Sequence, residues 1–523
     1  MVKAKFLYLS IIIIYAFSIN WISANIGVMP IDTFAFFDSS YLILKGKYPI
    51  KDFWVYTGLV VDYLQAFFFF VFGNNWNSYI IHSSFINVIL VLFFYYFQNL
   101  FKIQEIYKLF YSISFGTLLY PVVGTPYHYQ HAFSFCILAL FLFSIAVIKR
   151  KKLYWVFLPV VLFFSFFSMQ TPTAYIAILI FIFILIYIFK YKNFIIISYV
   201  ILGSFISFLI FFAFLIIVDI SIYDLVYQYF LFPITIGKGR FLSENFAYVK
   251  LIDQLNFKRI FFEFKFIHIF LLGLIITTFI KNKKNYEDLL IVFLFITSTF
   301  IFLFNQLTQA NQEYIFGLIP VVAVLLHSNL KYLDKDKFIN FFLVILIFVT
   351  IKFHNRYNLE RKFMDLEKID KNQAVLGDLI HKNLKNLKWI TPYTNPKDDI
   401  IFLNKVISIL EKENDNVLII THYNFFNVVL NKKFNIMNRW YLWDNNSHPT
   451  PNHKYFEYYK KFINKKFNEH EIKKIYLIGQ HDEFSFKNLK SYFGDKCFNE
   501  DVFVKKSFIK LTVSNCKKKK IYY

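Results

Sequence analysis

The sequence predicts a polytopic α-helical membrane protein that ends in a soluble α/β domain. Its 523 residues have a mean hydropathy of +0.47, well above that of an ordinary soluble protein. Apolar runs of about 18 residues or more, the length that spans a bilayer, recur through the first two-thirds of the chain. Beyond residue 353 the apolar density drops and charged residues become frequent. We therefore expect a transmembrane domain over residues 1–352 and a soluble domain over residues 353–523.

The apolar runs predict eleven membrane crossings. Hydrophobic segments fall at about 6–24, 59–73, 78–98, 108–124, 131–148, 153–169, 173–189, 193–218, 259–280, 287–304, 313–328 and 336–352. The second segment is short and contains Asp62 and Gln65. It is predicted to stay on the outer side as a juxtamembrane or re-entrant helix within a long first outer loop, while the other segments cross.

Basic residues set the orientation of these crossings, because loops rich in lysine and arginine stay in the cytoplasm. Such loops occur at 149–152, 190–192, 281–284 and 331–337. They place the N-terminus in the cytoplasm and, after an odd number of crossings, the C-terminal domain outside the inner (plasma) membrane. The net charge of +23 is interpreted as lysine bias and cytoplasmic anchoring, and no nucleic-acid partner is expected.

The C-terminal region alternates helix and strand signals. VLIITHYNFF (417–426), KIYLIGQ (474–480) and FVKKSFIKLTV (503–513) are apolar and rich in β-branched or aromatic residues, which predicts three strands. FLNKVISILEKE (402–413) has helical periodicity, so a small α/β layer is expected. Cys497 and Cys516 lie in this region, and a disulfide and two free thiols are both compatible with the sequence.

Acidic residues cluster where the first apolar run ends. The stretch DTFAFFDSSYLILKGKYPIKDF (32–53) contains Asp32, Asp38 and Asp52. Its apolar residues predict that it lies on the membrane surface, and acids held at an interface are candidates for function. The alternative interpretation is a set of solvated acids or helix caps.

This loop resembles the first outer loop of the GT-C superfamily of polytopic glycosyltransferases. The elements are Asp32, LILKG (42–46), YPIKDF (48–53), VYTG (55–58) and VFG (71–73), in that order. The resemblance covers roughly residues 1–330, and its specific part is residues 1–75. Related branches are of the protein O-mannosyltransferase and lipid A aminoarabinose-transferase types. The chain departs from the pattern at Thr33, where many members have glutamate.

The resemblance implies an inverting transferase with Asp32 as its general base. The donor would be a sugar on a polyprenyl-phosphate carrier in the membrane lipid, and the acceptor a cell-envelope glycan, lipid or protein. Such a reaction needs one base and cations near the leaving phosphate. Lys238 and Arg240 of FPITIGKGRF (232–241), together with Lys51, are the candidate phosphate-binding residues.

Further polar residues are candidates for lining the site. His128 and His131 of PYHYQH (126–131) have a spacing that can bind metal on a helix, although a hydrogen-bonding role is favoured. No cofactor is assigned, and a divalent metal is the less favoured interpretation. The other candidates for site lining are Asp38, Asp52, Glu313 and Tyr314, and those for acceptor binding in the C-terminal domain are His422, Trp443, Asp444 and His448.

Two other classes of protein share many membrane spans. An O-antigen-type polymerase tends to have key arginines in large outer loops, and here only Arg240 and Arg259 flank the largest mid-chain loop. A transporter or flippase of envelope glycans tends to show internal repeats and charged residues at the membrane midplane. Neither pattern is clear in the sequence, so glycosyl transfer is the leading expectation.

Overall fold

The protein is mostly helical. Its structure, a computed structural model, describes residues 2–242, 250–281, 285–309, 314–442, 445–479, 486–493 and 496–514. The first part contains α1 (Val2–Ala24), α2 (Pro30–Thr33), α3 (Phe37–Leu44), α4 (Leu59–Phe72), α5 (Trp76–Gln98), α6 (Glu105–Leu118), α7 (His128–Lys149), α8 (Lys152–Ser168), α9 (Gln170–Tyr191), α10 (Ile195–Val218), α11 (Ile222–Leu225), α12 (Phe232–Phe241), α13 (Leu251–Gln254), α14 (Lys265–Ile280), α15 (Tyr286–Thr308), α16 (Leu318–Tyr332) and α17 (Asp336–Phe353).

Several of these helices are long and apolar enough to cross a membrane. Within the described part of the chain there are eight such segments, at Lys5–Ala24, Trp76–Phe101, His128–Lys149, Gln170–Tyr191, Ile195–Val218, Tyr286–Thr308, Ile315–Tyr332 and Asp336–Met364. The predicted helical architecture is therefore confirmed. Helices α4, α8 and α14 are apolar but shorter, and α6 has 14 residues. Eleven crossings would need α6, α8 and α14 to cross as well, so that number stays a prediction.

Aromatic rings hold the centre of the helical bundle together. Phe97 of α5 lies 4.6 Å from Phe141 of α7 and 5.4 Å from Phe295 of α15, measured between ring centroids. All three side chains are fully buried. Burying a phenylalanine side chain contributes roughly 1.5–3 kcal/mol, so this contact fixes α7 between its two neighbours.

The C-terminal part folds around a four-stranded sheet. It contains β1 (Val375–Leu376), β2 (Lys388–Trp389), α18 (Pro396–Glu411), β3 (Val417–Thr421), α19 (Phe426–Leu430), α20 (Phe456–Glu469), β4 (Lys474–Ile478), α21 (Phe486–Phe493), β5 (Cys497–Val504) and β6 (Phe508–Ser514). The sheet order is β3-β4-β6-β5, with β3 and β4 parallel and the other neighbours antiparallel. Helix α18 packs on one face of the sheet and α20 on the other.

The predicted strand at 503–513 is wrong in its extent. A turn at 505–507 divides it, so that β5 and β6 form a hairpin. Strand β5 begins at Cys497 within a polar, partly exposed segment, which carries little apolar signal. Cys497 is disulfide-bonded, while Cys516 lies outside the residues that the structure describes.

The aromatic part of the first outer loop is covered by protein and does not lie open on a membrane surface, which corrects that expectation. Phe34, Phe36 and Phe37 are fully buried, because the C-terminal part covers the loop. Phe34 stacks on Trp389 with ring centroids 6.0 Å apart and meets Phe425 at 5.0 Å. The loop and the C-terminal part therefore share one hydrophobic core.

Backbone hydrogen bonds join the same two parts of the chain. The Gly27 N–H donates to the Lys388 carbonyl at 3.0 Å, and the Val28 N–H donates to the Ile390 carbonyl at 2.8 Å. The segment that follows α1 thus pairs with the β2 segment. We call this end of the bundle the covered end.

Candidate functional site

Asp32 lies in the short helix α2 at the covered end. Its side chain is partly exposed, and no described residue donates a hydrogen bond to its carboxylate. The surrounding protein disfavours the charged form, and the neighbouring Asp365 carboxylate adds repulsion. Together these raise the pKa of Asp32 to about 7. A carboxylate with this pKa can exchange a proton near neutral pH.

Two tyrosines and a tryptophan lie near Asp32. Burial raises the pKa of Tyr127 and Tyr314 well above the usual tyrosine value, and the nearby Asp32 charge adds to that effect. The Trp440 indole N–H donates to the carbonyl of Ile31 at 3.0 Å. Asp32 thus lies between the membrane part and a side chain of the C-terminal domain.

Thr33 supplies no second acid beside Asp32. Its hydroxyl accepts a hydrogen bond from the Met29 N–H at 2.9 Å and contacts the Met364 sulfur at 3.3 Å. The side chain is fully buried and closes the α2 turn. The second carboxylate near Asp32 is instead that of Asp365, an exposed residue.

The glycine that ends the VYTG element has a physical reason. Gly58 has φ +79°, a left-handed conformation that favours glycine. A Cβ atom there would lie 2.5 Å from the Phe36 ring and 2.9 Å from the Arg439 guanidinium. The element therefore lets the first outer loop pack closely against the C-terminal domain.

His128 continues the group around Asp32. Its ring lies 5.2 Å from Trp440 and 4.4 Å from Tyr129, centroid to centroid. The Nδ1 atom of His128 is buried and has no partner among the described residues. The Tyr129 hydroxyl donates to the Gln309 side-chain oxygen at 2.6 Å.

Arg240 is connected to this group through Gln309. Its Nη1 donates to the same Gln309 oxygen and to the Thr308 carbonyl, the latter at 3.3 Å. Its Nη2 donates to Asn446 Oδ1 at 3.2 Å. The Nε atom is buried without a partner in the described part of the chain. We call Asp32, Trp440, His128, Tyr129, Gln309 and Arg240 the Asp32 cluster.

An apolar groove leads from the lateral surface of the bundle toward Arg240. The groove lies between α9 and α15, has a volume of about 400 Å³ and is lined by Tyr175, Ile178, Thr297, Phe300, Ile301 and Phe304. Thr308 lies one helical turn beyond Phe304 in α15, and Thr171 lies four residues before Tyr175 at the non-helical start of α9, both toward the covered end. Gln309 donates to the Thr171 hydroxyl at 3.4 Å, so the groove ends beside the partners of Arg240.

The two candidate phosphate-binding lysines, Lys51 and Lys238, differ in their surroundings. Lys51 donates to the Val218 carbonyl at 3.0 Å and pairs with Asp219 at 3.2 Å, so it neutralises the C-terminal end of α10. These contacts lie away from the Asp32 cluster. Lys238 is exposed on α12, two residues before Arg240.

Asp52 is likewise held in its own turn. Its carboxylate accepts the Tyr48 N–H at 2.7 Å and lies 3.6 Å from a ring nitrogen of His470. Neither contact involves a residue near Asp32, so the structure gives Asp52 a role in shaping the loop.

Asp38 and Asp62 bind the C-terminal domain. Asp38 accepts the backbone N–H groups of Asn427 at 3.0 Å and of Val428 at 3.1 Å, at the start of α19. Asp62 forms a fully buried ion pair with Arg439, whose guanidinium also donates to the Thr57 carbonyl at 2.6 Å. We call these residues the interdomain contact. Sequence reasoning did not select Arg439.

His131 lies in a buried hydrogen-bonded chain next to the cluster. Its Nε2 is 3.1 Å from Nε2 of His82, and its Nδ1 is 2.6 Å from the Tyr120 hydroxyl. His82 in turn contacts Gln65 at 3.0 Å. Both histidines therefore take part in hydrogen bonds between side chains. Among the described residues no group of three potential metal-ligating side chains occurs.

The acceptor-binding candidates of the C-terminal domain are dispersed. His422 follows the end of β3 and is partly exposed, as its position predicts. His448 is fully buried, with its ring 5.3 Å from that of Tyr459, so it packs in the domain core and does not line a surface. Trp443, Asp444 and Glu313 lie outside the residues that the structure describes.

No family model and no curated protein matches the chain. The function is therefore inferred from the chemistry of the Asp32 cluster and the groove beside it.

Proposed function

We propose that the protein is a membrane glycosyltransferase that moves a sugar from a polyprenyl-phosphate carrier to a cell-envelope acceptor on the outer face of the membrane. The observation that carries this proposal is the carboxylate of Asp32. It is partly exposed, has no donor among the described residues and has a pKa of about 7. A general base is most effective when its pKa lies near the working pH.

Asp32 would accept the proton of the acceptor hydroxyl. The hydroxyl oxygen forms its bond to the anomeric carbon of the donor sugar, while the bond from that carbon to the phosphate oxygen breaks. The electron pair leaves with the phosphate, and the configuration at the anomeric carbon inverts. A single displacement of this kind needs one base and no protein nucleophile.

Arg240 would bind the leaving phosphate. A guanidinium presents several N–H donors in a fixed plane that matches phosphate oxygens, and the Nε–H of Arg240 has no described partner. Gln309 and Asn446 hold the guanidinium in place. Lys238, which is exposed on the same helix, would add positive charge without a fixed geometry.

The groove between α9 and α15 would hold the polyprenyl tail. Its lining is aromatic and aliphatic, and its volume of about 400 Å³ suits several isoprene units. Because the groove ends beside the residues that hold Arg240, a tail lying in it would present its phosphate to the guanidinium. A carrier bound in this way would keep its tail beside the membrane helices and its phosphate at the covered end, where Arg240 lies.

Labelled transfer in proteoliposomes tests the proposal. The full chain would be reconstituted with a panel of labelled polyprenyl-phosphate sugars and an envelope extract as acceptor, comparing wild type with Asp32→Asn. We expect the rate to fall by about a hundredfold or more, because the amide cannot accept the proton. A transporter or flippase would move the labelled lipid without changing its sugar, which the same assay distinguishes.

The matched control is Asp378→Asn, which removes one charge from an exposed turn of the C-terminal domain. It should transfer at the wild-type rate. Equal transfer by wild type and Asp32→Asn would contradict the assignment of the base.

A further inference from the structure

A second cavity lies where the C-terminal domain meets the end of α10. It has a volume of about 370 Å³ and is lined by Tyr223, Asp224, Tyr227, Tyr458, Lys461, Phe462, Lys465 and Lys466. It is formed by α11 and the residues that follow it on one side and by α20 on the other. None of its lining residues belongs to the Asp32 cluster.

Tyrosine rings form one wall of this cavity. Tyr227 and Tyr458 are stacked with centroids 4.0 Å apart, and Tyr223 lies 4.6 Å from Tyr227. The Tyr458 hydroxyl donates to the carboxylate of Asp224. Asp224 is therefore hydrogen-bonded to a neutral hydroxyl and forms no ion pair with a lysine among the described residues.

Lysines of α20 give the cavity its charge. Lys465 and Lys466 both face Glu469, at 3.7 Å and 2.7 Å. Lys461 is exposed and forms no ion pair with any described residue. Three lysines against Asp224 and Glu469 leave net positive charge at the mouth, which favours an anionic ligand.

Exposed apolar residues lie beside the cavity, at the end of a helix long enough to cross a membrane. The last turn of α10 exposes Ile216 and Ile217, at 63% and 81% of their surfaces, as a helix facing lipid does. A few residues later Ile222 and Tyr223 are 65% and 60% exposed. Tyrosines concentrate at the membrane–water boundary, so the cavity would open toward the headgroups of the leaflet nearest the C-terminal domain.

We propose that this cavity binds the phosphate-bearing headgroup of an anionic phospholipid. The phosphate would contact Lys461 and Lys465, and the glycerol and the first acyl carbons would lie against Tyr223 and Tyr227. A volume of about 370 Å³ is within the range of small-molecule sites. Because α20 belongs to the C-terminal domain and α10 to the bundle, a bound lipid would join the domain to the membrane surface.

Lipid retention by the intact protein tests this proposal without any measurement of glycosyl transfer. The full chain in detergent micelles would be incubated with equal amounts of phosphatidylglycerol and phosphatidylcholine that carry the same acyl chains. Native mass spectrometry then counts the lipids that each protein retains. We expect wild type to retain one more phosphatidylglycerol than phosphatidylcholine, and the double variant Lys461→Gln/Lys465→Gln to lose that preference.

The matched control is Lys405→Gln/Lys412→Gln. It removes the same charge from Lys405 within α18, which donates to the Phe503 carbonyl, and from Lys412, the residue after α18, on the opposite face of the sheet. It should keep the wild-type preference. Tyr227→Ala removes part of the wall without changing charge, and we expect it to weaken phosphatidylglycerol retention by about fivefold or more. Equal retention of the two lipids by wild type, or an unchanged preference in the Lys461→Gln/Lys465→Gln variant, would overturn the proposal.

Discussion

Asp32 and Asp38 lie six residues apart in the first outer loop, yet their carboxylates have opposite surroundings. Asp38 is buried and accepts two backbone N–H groups and the side-chain amide of Asn427, at 3.0–3.3 Å. Asp32 is partly exposed and receives no hydrogen bond from the described residues. One acid holds the C-terminal domain in place, and the other is the proposed general base.

Asp62 extends this comparison to α4. Its two carboxylate oxygens are occupied by the Ser39 hydroxyl, at 2.6 Å, and by Arg439. A carboxylate whose donors are all protein groups stabilises the fold and is shielded from substrate. The charged form of Asp32, by contrast, is disfavoured by the surrounding protein and accepts no hydrogen bond from the described residues. Such a carboxylate lowers the stability of the fold, which is typical of functional sites. The comparison predicts that substitutions at the two places affect different measurements.

The largest expected effect is on stability, at Asp62. Asp62→Ala leaves the Arg439 guanidinium buried without its counter-charge, and this should lower the free energy of unfolding by about 3–5 kcal/mol. Thermal or chemical unfolding of the full chain in detergent measures the change. Asp32→Asn removes a carboxylate whose charged form the fold disfavours, so it should leave the unfolding free energy equal to that of wild type or raise it.

The paired replacement Asp62→Leu/Arg439→Met is the control for this loss. It removes both charges and keeps apolar volume, so most of the stability should return. A single Asp62→Ala variant as stable as wild type would show that the interdomain contact does not hold the domain, and the comparison with Asp32 would fail.

The next effect is at Asp38. Asp38→Ala leaves the Asn427 and Val428 N–H groups buried without an acceptor, which costs about 1–3 kcal/mol. Hydrogen exchange at residues 426–430 should become faster, because these N–H groups lie in the first turn of α19 and lose the acceptor that holds that turn. Unchanged exchange there would contradict the role of Asp38. Asp38→Asn keeps one acceptor oxygen and should cost less than Asp38→Ala.

The sequence predicted the elements better than it predicted the contacts between them. Apolar periodicity locates the long helices and the strands β3 and β4, because each follows a local pattern. The contact of Asp38 with Asn427 joins residues almost 400 positions apart, and no local pattern reports it. The ion pair of Arg439 with Asp62 could not be predicted either, because it depends on the C-terminal domain covering the loop. The resemblance of the first outer loop suggested Asp32, and residue type and loop position suggested Arg240; the roles of both stay predictions.

The partners of Arg240 were not predicted for the same reason. Gln309 and Asn446 are ordinary polar residues in the sequence, and only folding brings them to the guanidinium. His448 shows the converse error of local reasoning. It lies in a polar loop rich in tryptophan and asparagine, but tertiary packing buries it beside Tyr459.

A smaller effect is expected on carrier binding. Arg240→Gln should raise the apparent Kd of the polyprenyl-phosphate donor by about tenfold, because it removes a charge-assisted contact that Gln309 and Asn446 hold in place. Lys238→Gln removes the same charge from an exposed side chain, and we expect a change of about twofold. Equal effects of the two substitutions would indicate general attraction, without a defined phosphate site. Binding of labelled carrier to the reconstituted protein measures both.

The smallest effect, and the most specific one for Asp32, is on the pH dependence of transfer. Asp32 must be deprotonated to act as a base, so the rate rises with pH through its pKa of about 7. The deprotonated fraction is then about 0.09 at pH 6 and about 0.5 at pH 7, which predicts a rise of roughly fivefold over that interval. Initial rates from pH 5 to pH 9 in proteoliposomes measure it, with the stability of the protein checked at each pH.

Asp365→Asn separates the two causes of that raised pKa. It removes the neighbouring negative charge. The desolvation of the Asp32 carboxylate by the surrounding protein, which is the larger cause of its raised pKa, stays in place. The rising limb should therefore move to lower pH but stay above the value of an ordinary aspartate, while the unfolding free energy of the protein is unaffected at this exposed position. A rate that is flat between pH 5 and pH 8 in wild type would mean that Asp32 is already ionised or takes no part in proton transfer, and Asp32 would then differ from Asp38 only in exposure.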